Sequence, residues 1–123
     1  MRELFLNNNC IRHIEGLDGC RALQRLWLYS NEIEKLHGLE HLGALRELWV
    51  QENYISELSG LEPLVNLRQL GLASNPLTNL RQLEALAVLP ALQDLSFADP
   101  HFEEAPIVDC EGYVYMDIRG FKV

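Results

Sequence analysis

Two histidines and a glutamate carry the clearest chemical pattern in the chain, in the segment HGLEH from His37 to His41. The order H-x-x-E-H is the zinc-binding order of the inverted metalloproteases. That chemistry requires both histidines on one face of an α-helix, together with a third ligand. The equivalent segments EGLDG and SGLEP show instead that these positions belong to a repeat, whose spacing predicts a turn. A metal hydrolase built on His37, Glu40 and His41 is therefore a remote alternative, and we expect no bound metal.

The other histidines and the cysteines fit no catalytic or cofactor-binding motif. Neither His13 nor His101 has a serine or cysteine at a recognisable motif spacing, and the sequence lacks a G-x-G-x-x-G, a P-loop and a nucleophile elbow. Cys10, Cys20 and Cys110 are odd in number and form no C-x-x-C, which is typical of a reducing compartment. The sequence predicts a cytoplasmic protein that is not an enzyme and holds no cofactor.

Length, composition and charge indicate one folded domain with protein partners. The chain has 123 residues, of which 48% are hydrophobic, so it can bury a core. Its net charge of −8 would repel nucleic acid and anionic membranes and would favour basic partners. It shows neither a signal peptide nor an apolar run of membrane-spanning length. We expect a protein or peptide partner, with no nucleic acid and no membrane.

The strongest signal is a repeat with a period of 22 residues, which must position any functional side chain. Each unit reads L-x-L-x-x-N-x-I-x-x-I-x-G-L-x-x-L-x-x-L. The asparagine recurs as Asn9, Asn31, Asn53 and Asn75, and the glycine as Gly16, Gly38 and Gly60. The segment L-x-L predicts a short strand with one buried face, and the later apolar spacing of three favours turns or 3₁₀-helix. No such coil can bury its own leucines, so the coils must stack into a solenoid with a parallel sheet on the concave side.

This pattern resembles the leucine-rich repeat in its 22-residue subclass, which includes the leucine-rich-repeat regulator of protein phosphatase 1 and the leucine-rich-repeat dynein light chain. The resemblance covers about residues 3–100. It implies an α/β fold, a curved right-handed coil with a concave parallel sheet and convex 3₁₀, turn and short α segments. It also implies a non-catalytic protein-binding scaffold. We divide the single domain, residues 1–123, into repeats at about 3–24, 25–46, 47–68 and 69–93, followed by an atypical C-terminal capping unit at 94–123.

Two parts of the chain depart from the repeat. The fourth unit is longer, and its segment LRQLEALAVLPAL predicts one or two turns of α-helix because it is rich in helix formers. In the last unit, Ala105, Pro106 and Ile107 stand where capping units of the family carry N-P-[IL], before Tyr113 and Tyr115. The stretch LSFADPHF resembles a multi-repeat member of the family linked to cilia, which implies a ciliary or flagellar location. The alternation in YVYMDI also fits a strand, so the secondary structure of residues 108–123 stays open.

The N-terminal end presents the repeat without a polar cap. Leu4, Leu6, Ile11 and Ile14 have no predicted coil beneath them, and the first strand has an unpaired edge. Either upstream repeats belong to the natural protein, or this end meets another chain. The second possibility gives an alternative function, in which the chain is a structural unit that forms homodimers or filaments through this end.

Side chains that alternate with the core leucines must face the concave hollow. The central column reads Phe5, Trp27, Trp49, Gly71 and Ser96, and the aromatic part of it predicts a ladder of stacked rings. Stacked rings can simply stabilise a sheet, but a large exposed apolar area with Trp, Tyr and Arg is also typical of a binding surface. Our candidate partner-binding residues on this face are Phe5, Arg25, Trp27, Tyr29, Glu47, Trp49 and Gln51.

Overall fold

Five strands of three residues each form one parallel sheet, in the order in which they occur along the chain. In this computed structural model the described residues are 1–98, 106, 117–118 and 121–122. The strands are β1 (Glu3–Phe5), β2 (Arg25–Trp27), β3 (Glu47–Trp49), β4 (Gln69–Gly71) and β5 (Asp94–Ser96). Each residue of a strand pairs with its equivalent in the next repeat, as Leu26 does with Leu48. The predicted solenoid with a concave parallel sheet is therefore confirmed.

The leucines of the repeat form one continuous core between the sheet and the return legs, which are the segments that lead from each strand to the next. Leu26 and Leu48 are fully buried, and Leu70 is almost so. Removing such a side chain from water contributes about 1.5–3 kcal/mol. In the first coil, Leu4 and Leu6 are only half-buried, because the core continues on one side of them alone.

The asparagine of each repeat bonds the backbone where the chain leaves the sheet. Asn53 is 5% exposed, and its Oδ1 accepts a hydrogen bond from the backbone N–H of Ile33 in the preceding coil, at 3.0 Å. Its Nδ2 donates to the backbone carbonyls of Leu28, Val50 and Gln51 at 3.0–3.2 Å. Asn31 and Asn75 make equivalent bonds. These side chains supply the partners that buried backbone groups require.

The repeat glycine lets successive return legs touch. Gly38 has φ +92°, and a Cβ built on it would lie 1.9 Å from the backbone oxygen of Ile14 in the preceding coil. Gly60 repeats the arrangement against Leu36, with φ +98° and a distance of 2.5 Å. Only glycine satisfies both the positive φ and this approach.

The longer fourth return leg contains a 3₁₀ helix, Leu80–Val88, where the sequence predicted α-helical turns. The side chain of Asn79 caps it by accepting a hydrogen bond from the backbone N–H of Arg81, at 2.9 Å. Its leucines and those that follow recur every third residue, at Leu80, Leu83, Leu86, Leu89 and Leu92. A 3₁₀ helix has three residues per turn and keeps this series on one face, whereas 3.6 residues per turn would rotate it away from the core. Packing of the leucines thus outweighs helix propensity.

Only part of the C-terminal unit is described. Beyond β5, strands β6 (Asp117–Ile118) and β7 (Phe121–Lys122) pair antiparallel, so part of the stretch left open by the sequence is strand. Ala105, Ile107, Tyr113 and Tyr115, which carry the resemblance to a capping unit, lie outside the described residues. No helix among the described residues is long and apolar enough to cross a membrane.

Candidate protein-interaction surface

The central column of the sheet lies in the predicted register. Phe5 pairs with Trp27, Trp27 with Trp49, Trp49 with Gly71 and Gly71 with Ser96. The neighbouring leucines of each strand enter the core, so these five residues face the hollow. Strand spacing alone places their backbones about 4.8 Å apart.

Three rings of this face form one group, which we call the aromatic cluster: Phe5, Trp27 and Tyr29. The ring centroids of Phe5 and Trp27 are 4.5 Å apart and their planes are tilted by 49°. The centroids of Trp27 and Tyr29 are 5.9 Å apart, with a tilt of 42°. Phe5 remains 51% exposed, whereas Trp27 and Tyr29 are half-buried. The cluster is thus a firm ring platform with one strongly exposed member.

Trp49 departs from the predicted ladder, because its ring lies over Gly71. A Cβ built on Gly71 would be 2.5 Å from Trp49 Cε3 and 2.5 Å from Gln51 Nε2. Phe5 contacts Trp27 and Trp27 contacts Tyr29, but within the described part of the chain no such ring contact reaches Trp49. The space left by the missing side chain at Gly71 is therefore filled by Trp49 and Gln51.

Two polar groups in this region lack hydrogen-bond partners. Gln51 is only 3% exposed, and its Oε1 is buried without a partner among the described residues. The indole Nε1 of Trp27 is buried and unpaired in the same part of the chain. Each buried unpaired group costs about 1–3 kcal/mol. Gln51, chosen from the sequence as a contact residue, thus lies beneath the surface rather than on it.

The charged residues predicted at the rim bind one another. Arg25 Nη1 lies 3.2 Å from Glu3 Oε1, and Arg25 Nε lies 2.5 Å from Glu47 Oε2. The three side chains belong to consecutive strands, so this network crosses the start of the sheet. Arg25 is therefore neutralised within the protein before any partner arrives.

Two arginines that the sequence did not single out line a cleft beside this network. The cleft has a volume of about 410 Å³ and lies at the start of the strands. Arg46 and Arg68 line it, each one residue before its strand, and both are exposed. Reading the column that precedes each strand would have found them.

The opposite edge, where the chain leaves the strands, is acidic and carries one exposed ring. Tyr54 is 59% exposed and, with Glu32, lines two shallow clefts of about 450 and 370 Å³. Glu32 accepts a hydrogen bond from Arg12 Nε at 3.1 Å, and Glu52 accepts one from the Ser30 hydroxyl at 3.0 Å. The sequence pattern does not reveal Tyr54, because its column reads Cys10, Glu32, Tyr54 and Pro76 and shows no shared residue type.

The first coil forms an apolar end of the described solenoid. Leu4, Leu6 and Ile11 are half-buried, and Ile14 is 8% exposed. Their equivalents one coil later are fully buried or nearly so. A small cavity of about 150 Å³ lies against this end, lined by Leu6, Ile11, Ile14 and Leu17 together with His13, Glu15 and Leu28.

The H-x-x-E-H segment is a turn in which the glutamate binds its own backbone. The backbone N–H of Gly38 donates to Glu40 Oε1 at 3.0 Å, and His37, Glu40 and His41 are exposed. Hydrogen bonds from the backbone of Gly38 and of Glu40 itself lower the pKa of the Glu40 carboxyl below its ordinary value. Among the described residues, no group of three or more His, Cys, Asp or Glu side chains is placed to hold a metal ion.

Comparison with known proteins gives matches among solved structures. No family model matches the chain, and no curated protein matches it. The Drosophila melanogaster SNF/U2A′ complex contains a chain that matches with a TM-score of 0.86 and 29% identity, over 98% of this chain and 70% of that one. An internalin from Listeria monocytogenes matches with a TM-score of 0.70 and 30% identity, over 77% of this chain. A leucine-rich-repeat protein from Leptospira interrogans gives 0.71 and 30%, over 80% of this chain.

The chain spans only part of the length of the proteins that it matches. The matched region spans 28% of the internalin and 25% of the Leptospira protein. What they share with this chain is the stacked repeat. Turns of about 22 residues, a parallel five-stranded solenoid and these structural likenesses show together that the chain is a leucine-rich-repeat protein.

Proposed function

We propose that this chain is a non-catalytic protein-interaction module that binds a partner protein or peptide on its concave face. The observation that carries the proposal is the aromatic cluster, in which Phe5 is 51% exposed while packed on Trp27. A pre-ordered aromatic platform loses little conformational freedom on binding, and aromatic side chains are common anchors of protein interfaces. The likeness to a chain of the SNF/U2A′ complex supports a protein partner.

Within this proposal the concave residues have different tasks. Phe5, Trp27 and Tyr29 offer ring surface to an apolar side chain of the partner. Trp49, lying over Gly71, forms the second half of the platform, and Gln51 supports it from below. Arg25 and Glu47 lie at the rim, where their mutual ion pair limits what each adds to affinity. The net charge of −8 favours a partner that is basic overall. The odd number of cysteines, without a C-x-x-C pattern, supports a cytoplasmic setting for this interaction.

Capture from a cell lysate tests the proposal with matched variants. Phe5→Ala removes an exposed ring and should abolish or strongly reduce capture of the specific partner. Val65→Ala is the control, because Val65 is 50% exposed but lies on the return leg between β3 and β4. Both variants are first compared with the wild type by urea denaturation. Equal capture by Phe5→Ala and Val65→Ala would refute binding through the concave face.

A second candidate function is self-association through the first coil. Leu4, Leu6 and Ile11 are half-buried where their equivalents in the next coil are buried, and Ile14 borders the small cavity there. In the described residues, β1 pairs with β2 and with no other strand. A second copy of the chain would cover both the apolar side chains and the strand edge.

Light scattering over a wide range of dilution tests this second candidate. Association through the first coil predicts a mass that rises with protein concentration, and a smaller rise for Ile11→Lys. A strict monomer at the highest concentration would refute the candidate. The concave-face proposal does not depend on the outcome, because Phe5→Ala and Ile11→Lys change different surfaces.

A further inference from the structure

Arg46 and Arg68 occupy the same position in consecutive coils, one residue before β3 and one residue before β4. The backbone N–H of Arg68 donates to the backbone oxygen of Arg46 at 2.8 Å, so the two residues are stacked in register. Their side chains therefore leave the sheet about 4.8 Å apart, at the ordinary strand spacing. Both are exposed and line the cleft of about 410 Å³.

The two carboxylates that line the cleft are bound by other side chains. Glu47 is bound by Arg25, and Asp94 Oδ2 accepts a hydrogen bond from Gln69 Nε2 at 3.4 Å. Among the described residues no salt bridge involves Arg46 or Arg68. Two like charges held at this spacing repel each other, and an anion between them would relieve that repulsion.

The lining of the cleft carries more positive than negative side chains, unlike the chain as a whole. Three arginines line it against two carboxylates, although the whole chain has a net charge of −8. The glutamines that complete the lining, Gln24, Gln69 and Gln93, add amide donors. Arg25 is already bound by Glu3 and Glu47, so the positive charge of this cleft comes from Arg46 and Arg68.

We propose that this cleft binds a pair of carboxylates from an acidic segment of the partner protein. Guanidinium groups bind carboxylates with paired, planar hydrogen bonds, and two of them at one strand spacing suit two acidic side chains that lie close together. A nucleic acid is disfavoured, because a long polyanion would meet the repulsion of the whole chain. This inference rests on the proposed function, since it assigns the chemistry of one flank of the same face.

The two flanks of the hollow then fix how a partner lies across it. The flank at the start of the strands is cationic through Arg46 and Arg68. The flank at their end carries Glu32, Glu52 and the exposed ring of Tyr54. A segment with acidic side chains on one side and basic side chains on the other fits in one orientation only.

Calorimetric titration with a hexaglutamate peptide tests the proposal. We expect saturable binding to the wild type at low salt, weakened about tenfold by the double substitution Arg46→Gln/Arg68→Gln. The charge-matched control is Arg21→Gln/Arg81→Gln, because both residues are exposed and lie outside the cleft. This control should bind like the wild type.

Several results would overturn the proposal. These are the absence of hexaglutamate binding, an equal loss in both double variants, or inorganic phosphate or hexathymidylate binding at least as tightly as hexaglutamate. The test also separates the two proposals. Phe5→Ala should bind hexaglutamate normally, so undiminished partner capture by Phe5→Ala, with normal binding of hexaglutamate to the wild type, would refute the concave-face proposal alone.

Discussion

The substitution Gly71→Ala tests whether the ring of Trp49 packs on Gly71. The new methyl group would lie 2.5 Å from Trp49 Cε3 and 2.5 Å from Gln51 Nε2, about 1 Å closer than ordinary van der Waals contact. Gly71 does not have a positive φ, so alanine adds no backbone strain and the whole effect is crowding. Gln51 is 3% exposed and has little room to move. Crowding of this kind costs about 1–3 kcal/mol.

Gly43→Ala is the matched control for this substitution. Gly43 also lacks a positive φ, and a Cβ built there meets nothing within 4 Å. Alanine at such a site is neutral or stabilises by up to about 1 kcal/mol, because it restricts the unfolded chain. Urea denaturation should therefore show a lower midpoint for Gly71→Ala and an unchanged or higher midpoint for Gly43→Ala.

Tryptophan fluorescence reports the displacement directly. The chain has two tryptophans, Trp27 and Trp49, so a Trp27→Phe background with selective excitation of tryptophan reports on Trp49 alone. In this background Gly71→Ala should shift the emission to longer wavelength, as the half-buried ring of Trp49 is pushed toward water. Gly43→Ala should leave the emission unchanged. If Gly71→Ala were as stable as Gly43→Ala with unchanged emission, the contact between Trp49 and Gly71 would be wrong.

Three further predictions concern the repeat itself. In urea denaturation Gly38→Ala should lower the free energy of unfolding by about 3 kcal/mol or more, because it adds a backbone clash to a positive φ. Gly16→Ala has open space around it and should lower the free energy of unfolding by only about 1–2 kcal/mol, so equal losses would contradict the tight stacking of the return legs. Asn53→Ala should lower the free energy of unfolding by about 2–4 kcal/mol, because it leaves buried backbone groups without a hydrogen-bond partner. The bonds of Asn9 are exposed, so Asn9→Ala should lower it by less than about 1 kcal/mol, and similar losses for the two variants would disprove the role of the asparagine. An NMR titration should give the Glu40 carboxyl a pKa below its ordinary value. The stability from its hydrogen bonds is then present above the pKa of the unfolded state and is lost as the pH falls through the pKa of the folded state, and an ordinary pKa would count against these bonds.

The repeat explains why so much of the fold was predictable. A period of 22 is enough by itself to place Leu26 beside Leu48 and Trp27 beside Trp49, and both pairings are present. The hydrogen bonds of Asn53 to the backbone were also predictable, because a buried amide side chain at the end of a strand commonly bonds nearby backbone groups. The error at Leu80–Val88 arose from weighing helix propensity above the spacing of three between leucines.

The candidate site was less predictable, because rotamers and ion pairing decide it. The sequence placed Trp49 in the ladder but could not show that its ring would turn onto Gly71. The net charge of −8 likewise says nothing of how the charges are distributed. In the structure Arg25 is bound by two carboxylates, whereas no ion pair among the described residues reaches Arg46. The alternation of residues along a strand predicts which face of the sheet a side chain lies on. Only the packing of the folded chain shows which of these side chains remain exposed to a partner.

Site-specific photocrosslinking at position 5 tests the central claim most directly. Benzoylphenylalanine in place of Phe5 keeps an aromatic ring on the concave face, and the same group at Val65 samples the return leg at nearly equal exposure, 51% against 50%. With the partner identified in the capture experiment, the account predicts a crosslink from position 5 to one defined segment of that partner and none from position 65. Equal crosslinking from the two positions, or crosslinking from position 65 alone, would contradict it.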